Sequence, residues 1–442
     1  MSTLQADTAV RDELSDVAGV IGPALEALLG TPAVEIEFWD GSTIGRRDGP
    51  GRLRINSIDA IRRVIWLPGD LGLARAFVMG DIDVIGPLPE VLRAMQNGDP
   101  HAKRIQVAAL PKLIAAVRSL GGIGTTPPPP PAEELIPRGR RHSLRRDKQV
   151  ISHHYDVGNA FYEIVLGPAM TYSCARFVES DTSLVDAQAA KHDLICRKLG
   201  LHEWALRGDT HGSPARMLDV GCGWGSMAMH AAKEYGARVV GVTISDEQAA
   251  YARRRVADAG LDDLVEIRIQ DYREVDDGPF DVISSVGMSE HVGSARLSVY
   301  YEHLYGLLAD GGRLLNHAIS TPGGSRLSRR TFIYRYVFPD GELIDVGESL
   351  LAMQRAGFEI RDVEDLREHY ATTLRRWVAN LEARWDEAVA LVGEHRARVW
   401  QLYMSGSING FDDAGVQLHQ VLGVRNAPDG TSHMPRTRRD WN

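Results

Sequence analysis

A glycine-rich loop, set between an apolar strand pattern and a helical pattern, constrains the fold of this chain more than any other feature. The loop occupies residues 218–225, reads Leu-Asp-Val-Gly-Cys-Gly-Trp-Gly, and leads directly into the helical window 226–235. Glycines allow a tight turn and a close approach of the backbone to a ligand, and a helix N-terminus presents free N–H groups. The pattern therefore predicts a site for a nucleotide-like ligand.

The segments around this loop alternate between strand and helix patterns. Short β-branched runs, separated by helical windows, occur at 216–220, 238–242, 264–270, 280–286 and 313–318. Such alternation predicts an α/β fold of the Rossmann-like type, with a mainly parallel sheet covered by helices on both faces. Ligands of such sheets bind beyond the carboxyl ends of the strands, where the glycine loop falls.

The glycine spacing and the end of the second strand narrow the choice of ligand. The third glycine of the loop lies two positions after the second, with one residue between them, whereas the dinucleotide fingerprint has two residues between its second and third glycines. Where that fold carries an acid for the ribose hydroxyls, this chain has Thr243, followed by Ser245 and Asp246. These differences disfavour a nicotinamide dinucleotide and favour S-adenosylmethionine; a purely structural turn is the remaining alternative.

Composition excludes several other classes of protein. The net charge of −9 and the pI of about 5.9 disfavour a nucleic-acid-binding protein. Three cysteines without CxxC spacing predict neither a disulfide framework nor a zinc site, and the scattered histidines predict no other metal. The chain starts without a signal-peptide pattern and contains no apolar run of membrane-spanning length, so we expect a cytoplasmic protein.

Two changes of composition divide the chain into three segments. Residues 1–122 predict a small α+β domain, and residues 148–442 form the ligand-binding domain. The linker 123–147 begins with the proline run 127–131, which predicts a stiff extended spacer. The stretch 138–148 then carries six positive charges and one acid. It either binds anionic lipid headgroups, at roughly 1 kcal/mol per charge, or is a solvated charged linker.

Further short motifs accompany the glycine loop. They are 154–159 (His-Tyr-Asp-Val-Gly-Asn), 171–174 (Thr-Tyr-Ser-Cys), 241–245 (Gly-Val-Thr-Ile-Ser), 290–291 (Glu-His), 316–319 (Asn-His-Ala-Ile) and 369–374 (His-Tyr-Ala-Thr-Thr-Leu). In order and spacing they resemble the cyclopropane-fatty-acid synthase family, which includes the mycolic acid cyclopropane synthases, over about residues 148–425. The resemblance implies a class I methyltransferase fold with a helical cover over a lipid site. The N-terminal segment resembles the extra domain of the phospholipid-acting members.

The resemblance also implies a set of residues that bind S-adenosylmethionine. They are Gly221, Gly223, Trp224 and Gly225 in the loop, Tyr172 and Ser173 at the methionine end, Thr243 and Gln248 at the ribose, and Tyr272, Val286 and Gly287 at the adenine. Members similar to the mycolic acid enzymes carry Trp-Glu where this chain has Tyr272 and Arg273. This departure puts the adenine contacts in doubt, although an aromatic ring is kept.

A second implied ligand is a bicarbonate ion, which in this family serves as the base. The resemblance assigns it to Cys174, Glu290, His317, the backbone of Ile319, and Tyr370. Bicarbonate both donates and accepts hydrogen bonds, so a ring of donors with one carboxylate can fix its orientation. Glu290 also stands out by itself, because a carboxylate at the carboxyl edge of a parallel strand seldom lacks a role.

Each of the other side chains has a structural alternative. Taken alone, Cys174 is typical of a small buried residue, His317 of a satisfied structural histidine, and Tyr370 of a half-buried helix aromatic. Nearby histidines would also allow Cys174 to act as a nucleophile, but no spacing here resembles a known cysteine hydrolase.

The implied reaction is transfer of a methyl(ene) group to the cis double bond of an unsaturated phospholipid acyl chain, forming a cyclopropane. The same site is compatible with methylene or methyl-branch formation on such chains. A non-catalytic lipid-binding protein and a methyltransferase for small polar molecules are the other hypotheses. The resemblance further implies a homodimer, and the substrate implies a peripheral enzyme on the anionic inner face of the membrane.

Overall fold

The computed structural model describes residues 16–96, 110–120, 126–135, 157–206, 213–326, 328–339 and 341–441. The chain divides into two compact units. The first unit comprises residues 1–134, 330–332 and 393–406, and the second comprises the rest. The division after residue 134 falls inside the predicted linker. The basic stretch 138–148 and the first three residues of the motif 154–159 lie outside the described residues.

The first unit is a small α+β structure. Its elements are α1 (Val17–Leu29), β1 (Glu35–Glu37), β2 (Thr43–Ile44), β3 (Arg52–Ile55), α2 (Ile58–Trp66), α3 (Asp70–Val78), β4 (Ile82–Ile85), α4 (Leu88–Gln96) and α5 (Leu110–Ser119). The strands form a four-stranded sheet in the order β2-β1-β3-β4, with only β1 and β3 parallel. Its core buries Ile21, Phe38 and Leu113, among others.

The proline run 127–131 belongs to the first unit. The guanidinium of Arg63 on α2 donates to the carbonyl of Pro129 at 2.6 Å, and Pro128 and Pro131 are buried. An extended proline segment has no internal hydrogen bonds, so its carbonyls accept from outside. The proline spacer predicted from composition is thus hydrogen-bonded to helix α2 through Arg63, a contact that composition does not predict.

The second unit contains most of the helices and the large sheet. Its elements are α6 (Asn159–Leu166), α7 (Leu184–Leu199), α8 (Leu201–Leu206), β5 (Arg216–Val220), α9 (Ser226–Tyr235), β6 (Arg238–Thr243), α10 (Asp246–Asp258), β7 (Val265–Ile269), β8 (Phe280–Val286), α11 (Ser289–Val292), α12 (Leu297–Gly306), β9 (Leu308–Ser320), β10 (Ser325–Arg326), α13 (Phe332–Tyr336), β11 (Glu342–Leu343), α14 (Val346–Ala356), β12 (Glu359–Asp365), α15 (Arg367–Ala383), α16 (Trp385–Val392), α17 (Glu394–Asp412) and β13 (Gln417–Val424). The first residue of α13 and the first thirteen of α17 belong to the first unit.

The large sheet has seven strands in the order β12-β13-β9-β8-β5-β6-β7. The neighbouring strands β9, β8, β5, β6 and β7 pair in parallel. Strand β13 runs antiparallel to both of its neighbours, β12 and β9. All five predicted strands are present. The prediction missed β12 and β13, which extend the sheet beyond β9.

Both faces of the sheet are buried, as the alternation of strands and helices predicted. Along β5, Met217 belongs to one buried cluster with Ala228 of α9, while Leu218 and Val220 belong to another with Tyr300 of α12. Because β5 lies between β6 and β8, the strand order reverses at its carboxyl end. That end is the switch point where open α/β sheets bind ligands.

Within the described residues, no helix has the length and apolarity needed to cross a bilayer.

Candidate active site

The glycine loop makes its turn at the carboxyl end of β5. The backbone N–H groups of Gly221 and Cys222 both donate to the carbonyl of Val242 at 3.0 Å, which ties the loop to the end of β6. Gly221 has φ of 77°, and a Cβ there would lie 2.6 Å from the Sδ of Met288. Position 221 therefore requires glycine both for the left-handed backbone and for the close approach.

A pocket opens beside this loop. The predicted cofactor residues on its wall are Tyr172, Ser173, Gly221, Gly223, Trp224, Thr243, Gln248, Tyr272, Val286 and Gly287. Gly225 does not line the pocket. It has φ of 81° at the start of α9, and a Cβ there would lie 3.3 Å from the Cβ of Ala252, so its role is in the turn and the packing against α10.

The predicted ribose side of the pocket contains a buried polar pair. The hydroxyl of Thr243 donates to Oε1 of Gln248 at 3.0 Å, and the backbone N–H of Gln248 donates to Ser245, which caps α10. A Cβ built on Gly223 would lie 4.0 Å from Nε2 of Gln248. The amide of Gln248 is thus oriented by Thr243 with its donor side toward the loop.

The predicted adenine side is formed by an aromatic ring held from behind. The ring of Tyr272 meets that of Tyr300 edge-on, with centroids 4.9 Å apart, and the hydroxyl of Tyr300 lies 2.6 Å from that of Ser285. Arg273 also lines the pocket and makes two hydrogen bonds to Asp271, at 2.6 and 2.8 Å. The Tyr-Arg pair that departs from the family pattern therefore presents a fixed ring and a guanidinium bonded to a carboxylate.

Sequence reasoning missed several charged residues on the pocket wall, among them Lys191 and Asp219. Lys191 of α7 is 1% exposed, and its Nζ lies 3.0 Å from the hydroxyl of Ser173. A signal for it existed, because Lys191 stands four residues from the buried Ala187 and Ile195 on the apolar face of its helix. Asp219, within the loop motif itself, also lines the pocket.

Asp219 is buried at the end of β5. One of its oxygens, Oδ1, accepts from Ser284 at 2.5 Å, while Oδ2 has no hydrogen-bond partner among the described residues. Burial raises the pKa of this carboxyl to about 6, against the opposing effects of Ser284 and Lys191.

A second buried polar group, containing the five residues assigned to bicarbonate, adjoins the pocket. None of the five lies on the pocket wall itself. The group connects to the wall through the backbone, since Gly287 donates to the carbonyl of His317 at 2.8 Å and Cys174 directly follows Ser173. We call this group the carboxylate cluster: Cys174, Glu290, His317, Ile319 and Tyr370.

Glu290 provides the acceptor of the carboxylate cluster. Its Oε1 accepts from the backbone N–H of Ile319 at 2.7 Å, and its buried Oε2 has no hydrogen-bond partner among the described residues. Burial raises the pKa of Glu290 to about 7 despite the Ile319 bond. The backbone donor that the resemblance assigned to bicarbonate is thus engaged by Glu290 in this structure.

His317 provides a donor. Its Nδ1 lies 3.2 Å from Nε2 of Gln420, the residue paired with it across β9 and β13. Because an amide nitrogen donates, Nδ1 accepts, and the neutral ring carries its proton on Nε2. Burial lowers the pKa of His317 well below its ordinary value, and Nε2 has no partner among the described residues.

Cys174 and Tyr370 meet at one carbonyl. The thiol of Cys174 lies 3.7 Å from the carbonyl oxygen of Leu366, which also accepts from the backbone N–H of Tyr370 at 3.2 Å. Leu366 in turn donates to Leu418, and Leu418 pairs with Ile319 in the sheet. Hydrogen bonds and strand pairs therefore connect the segments that carry the five predicted residues near the ends of β9 and β13.

The tyrosine and the thiol differ in character. The ring of Tyr370 packs on Phe411 with centroids 4.6 Å apart and lies edge-on to Trp377. Cys174 is fully buried, and burial raises the pKa of its thiol far above the ordinary value. A neutral thiol fits a hydrogen-bonding or packing role and disfavours nucleophilic catalysis.

Known proteins share the fold of the second unit. The strand order, the loop at the switch point and the pocket define a class I S-adenosylmethionine-dependent methyltransferase. The chain shares this fold with a solved mycolic acid cyclopropane synthase, CmaA1 in complex with SAH and CTAB. The identity is 31%, the TM-score is 0.56, and the match covers 62% of this chain and 97% of that one.

Sequence comparison places the chain more narrowly. The family described as mycolic acid cyclopropane synthetase matches residues 142–421, so the chain belongs to that family. It is 45% identical to a probable fatty acid methyltransferase of Pseudomonas putida, over 95% of this chain and 98% of the relative. It is 32% identical to the cyclopropane-fatty-acyl-phospholipid synthase of Escherichia coli strain K12, over 86% and 90%.

Proposed function

We propose that this enzyme transfers a methyl group from S-adenosylmethionine to the cis double bond of an acyl chain in a phospholipid and closes a cyclopropane ring. The observation that carries the proposal is the buried carboxylate of Glu290, whose Oε2 has no partner among the described residues. S-adenosylmethionine supplies an electrophilic methyl group in the adjoining pocket.

The chemistry explains why a base follows the transfer. An alkene has no proton to lose before it attacks, so methylation leaves a carbocation on the neighbouring carbon. Ring closure then forms a carbon–carbon bond as one proton leaves the new methyl group. The protein must stabilise positive charge and provide an acceptor for that proton.

The carboxylate cluster suits a small oxyanion that has both a donor and acceptors. Glu290 offers an acceptor at Oε2, and His317 offers a donor at Nε2. Both atoms are buried and without hydrogen-bond partners in the described structure, a state that costs free energy unless a ligand satisfies them. We propose that bicarbonate binds these two atoms, with Cys174 and Tyr370 completing the site, and accepts the proton.

One comparison supports a phospholipid substrate. The match to the Escherichia coli phospholipid synthase covers 86% of this chain, whereas the match to CmaA1 covers 62%. The longer match includes much of the N-terminal segment. We further propose that the basic stretch 138–148 binds anionic headgroups and that the enzyme acts on the membrane surface as a homodimer.

A second candidate product is a methylene or methyl branch on the same acyl chains. The relative from Pseudomonas putida, at 45% identity, is named a probable fatty acid methyltransferase, which favours this alternative. In the branched route a hydride shifts before the proton leaves, which gives the methylene branch; a saturated methyl branch requires an additional hydride donor. The cofactor pocket and the carbocation are common to the cyclopropane and the methylene product.

The test uses S-adenosylmethionine labelled in its methyl group and vesicles of cis-monounsaturated phospholipid, with saturated phospholipid vesicles as the control. We expect label in the acyl chains of the unsaturated lipid alone, and less of it in buffer depleted of bicarbonate. Label recovered only in soluble small molecules would refute the lipid substrate. Ozone separates the products, because it cleaves a methylene branch and leaves a cyclopropane intact.

Membrane association has its own test. Vesicles of neutral and of anionic phospholipid, with identical acyl chains, are sedimented with the enzyme. We expect more enzyme on the anionic vesicles and a decline with added salt. Equal binding to both vesicle types would contradict the role proposed for the basic stretch.

A further inference from the structure

Lys191 is a buried amine that the reaction described above does not use, and burial lowers its pKa to about 7. Its Nζ lies 3.0 Å from Oγ of Ser173, and the side chain is 1% exposed although it lines the pocket. Among the described residues no carboxylate lies within ion-pairing distance of it. An ammonium group in such surroundings is costly unless an anion completes its environment.

The surroundings of Lys191 show where an anion would come from. The acidic groups that act electrostatically on Lys191 are Cys174, Asp219 and Cys196, and burial raises the pKa of both thiols, which keeps them neutral. Asp219 lines the same pocket with its Oδ1 hydrogen-bonded to Ser284 and its buried Oδ2 without a partner among the described residues, but neither oxygen lies within ion-pairing distance of Lys191. The protein itself therefore supplies no direct counter-ion, and the side open to a ligand is the pocket.

The position of Lys191 along the pocket selects the part of the ligand that it meets. Thr243 and Gln248 stand at the end of β6, where folds of this type bind the ribose, and Tyr272 lies beyond β7. Ser173 and Lys191 belong instead to the N-terminal segment and α7, apart from both of these strands in sequence. This region is left for the amino-acid end of the cofactor, whose carboxylate is the only anionic group of S-adenosylmethionine.

We propose that the ammonium group of Lys191 binds the carboxylate of the methionine moiety of S-adenosylmethionine. The hydroxyl of Ser173 holds the ammonium group of Lys191 in place. A hydrogen bond that an ammonium group donates to a carboxylate in a buried site is among the stronger polar interactions. The cofactor thereby provides the missing counter-ion, and Lys191 selects ligands that retain the amino-acid carboxylate. This inference requires only the cofactor, so it holds or fails independently of the acyl substrate.

The experiment compares two ligands and three proteins by calorimetry. The ligands are S-adenosylhomocysteine and its decarboxylated analogue, and the proteins are the wild type, Lys191→Met and Lys191→Arg. We expect the wild type to bind the decarboxylated analogue about 10- to 100-fold more weakly, as for a lost hydrogen bond to a charged group. In Lys191→Met this preference should disappear, and Lys191→Arg should keep most of it.

Two results would overturn the assignment. If the wild type binds both ligands with equal affinity, the carboxylate has no specific partner, and no variant is needed to reach that conclusion. If Lys191→Met weakens both ligands by the same factor and retains the wild-type preference, Lys191 is a structural partner of Ser173. If Lys191→Met does not fold, Lys191→Gln, which keeps a hydrogen-bond donor for Ser173, takes its place: loss of the preference in that variant supports the assignment, and a preference equal to that of the wild type overturns it.

Discussion

The carboxylate of Glu290 accepts a 2.7 Å hydrogen bond from the backbone N–H of Ile319. This bond joins the short helix α11 to strand β9 and holds one oxygen of the carboxylate. The second oxygen remains buried without a partner among the described residues. One group thus performs two tasks, because Oε1 fixes its position while Oε2 is available to a ligand.

Glu290→Gln should separate cofactor binding from turnover. The amide keeps an oxygen for Ile319 but replaces the carboxylate, so we expect S-adenosylhomocysteine affinity to change less than about 2-fold and kcat to fall by about 100-fold or more. Calorimetry and the labelled-methyl assay measure the two quantities. Glu302→Gln, at an exposed position on α12, is the matched control. A collapse of cofactor affinity with normal turnover per bound cofactor would show that Glu290 has another role.

Stability should depend on pH through the same carboxyl group. The folded state raises the pKa of Glu290 from 4.5 to about 7, so the folded protein binds this proton more tightly than the unfolded chain. The free energy of unfolding should therefore decrease as pH rises between these two values, by on the order of 3 kcal/mol from this group. Urea unfolding at several pH values checks this.

The control for that pH dependence is Glu290→Gln, which cannot titrate. As pH rises, the free energy of unfolding of the wild type should decrease relative to that of Glu290→Gln. A difference that stays constant across this range would mean that Glu290 titrates normally in the folded protein. Asp219, with a pKa raised to about 6, contributes with the same sign and remains present in both proteins.

Gln420→Met should weaken the control of the His317 ring. The substitution keeps a similar volume but removes the donor 3.2 Å from Nδ1, so the neutral ring no longer has one preferred tautomer. We expect about a 5-fold loss of kcat, as for a polar contact worth ~1 kcal/mol, with unchanged cofactor affinity. Gln417→Met on the same strand serves as the control. Nitrogen chemical shifts of His317 report the tautomer directly, and an unchanged tautomer would contradict the assignment.

Tyr272→Ala should reduce cofactor affinity, and Tyr272→Phe should not. The ring, held edge-on against Tyr300, provides the flat surface expected beside adenine. Loss of an aromatic contact corresponds to about a 3- to 10-fold rise in Kd for S-adenosylhomocysteine. Equal losses in Tyr272→Ala and Tyr272→Phe would assign the effect to the hydroxyl group, and no loss in either would place adenine elsewhere.

Gly221→Ala should destabilise the protein more than Gly236→Ala. Both positions have positive φ, of 77° and 67°, so both substitutions strain the backbone by on the order of 1 kcal/mol. At Gly221 the new Cβ would also lie 2.6 Å from Met288, whereas nothing lies within 4 Å at Gly236. Urea unfolding of the two variants isolates the additional cost, and equal losses would show that Met288 moves aside freely.

The parallel part of the large sheet and the glycine loop were predictable from local patterns. The strands from β5 to β9 consist of short apolar runs, and the loop combines three glycines with a helix start, so each signal lies within a few neighbouring residues. The antiparallel β12 and β13 were missed. Their runs contain buried polar residues such as Asp362, which pairs with Lys198, and Gln420, whose Nε2 meets His317; both partners come from distant parts of the chain.

The candidate site divides along the same line. Family motifs predicted the residues of the cofactor pocket and of the carboxylate cluster, but not which atoms meet. The bonds Lys191–Ser173, Glu290–Ile319 and His317–Gln420 span 18, 29 and 103 residues of the chain. Periodicity and turn chemistry act over one or two turns of backbone, whereas these contacts arise from strand register and helix packing. The sequence by itself therefore determines the local strands, helices and turns and the identity of the candidate residues. The protonation and hydrogen bonds of each functional atom depend on its burial and its partners in the folded chain.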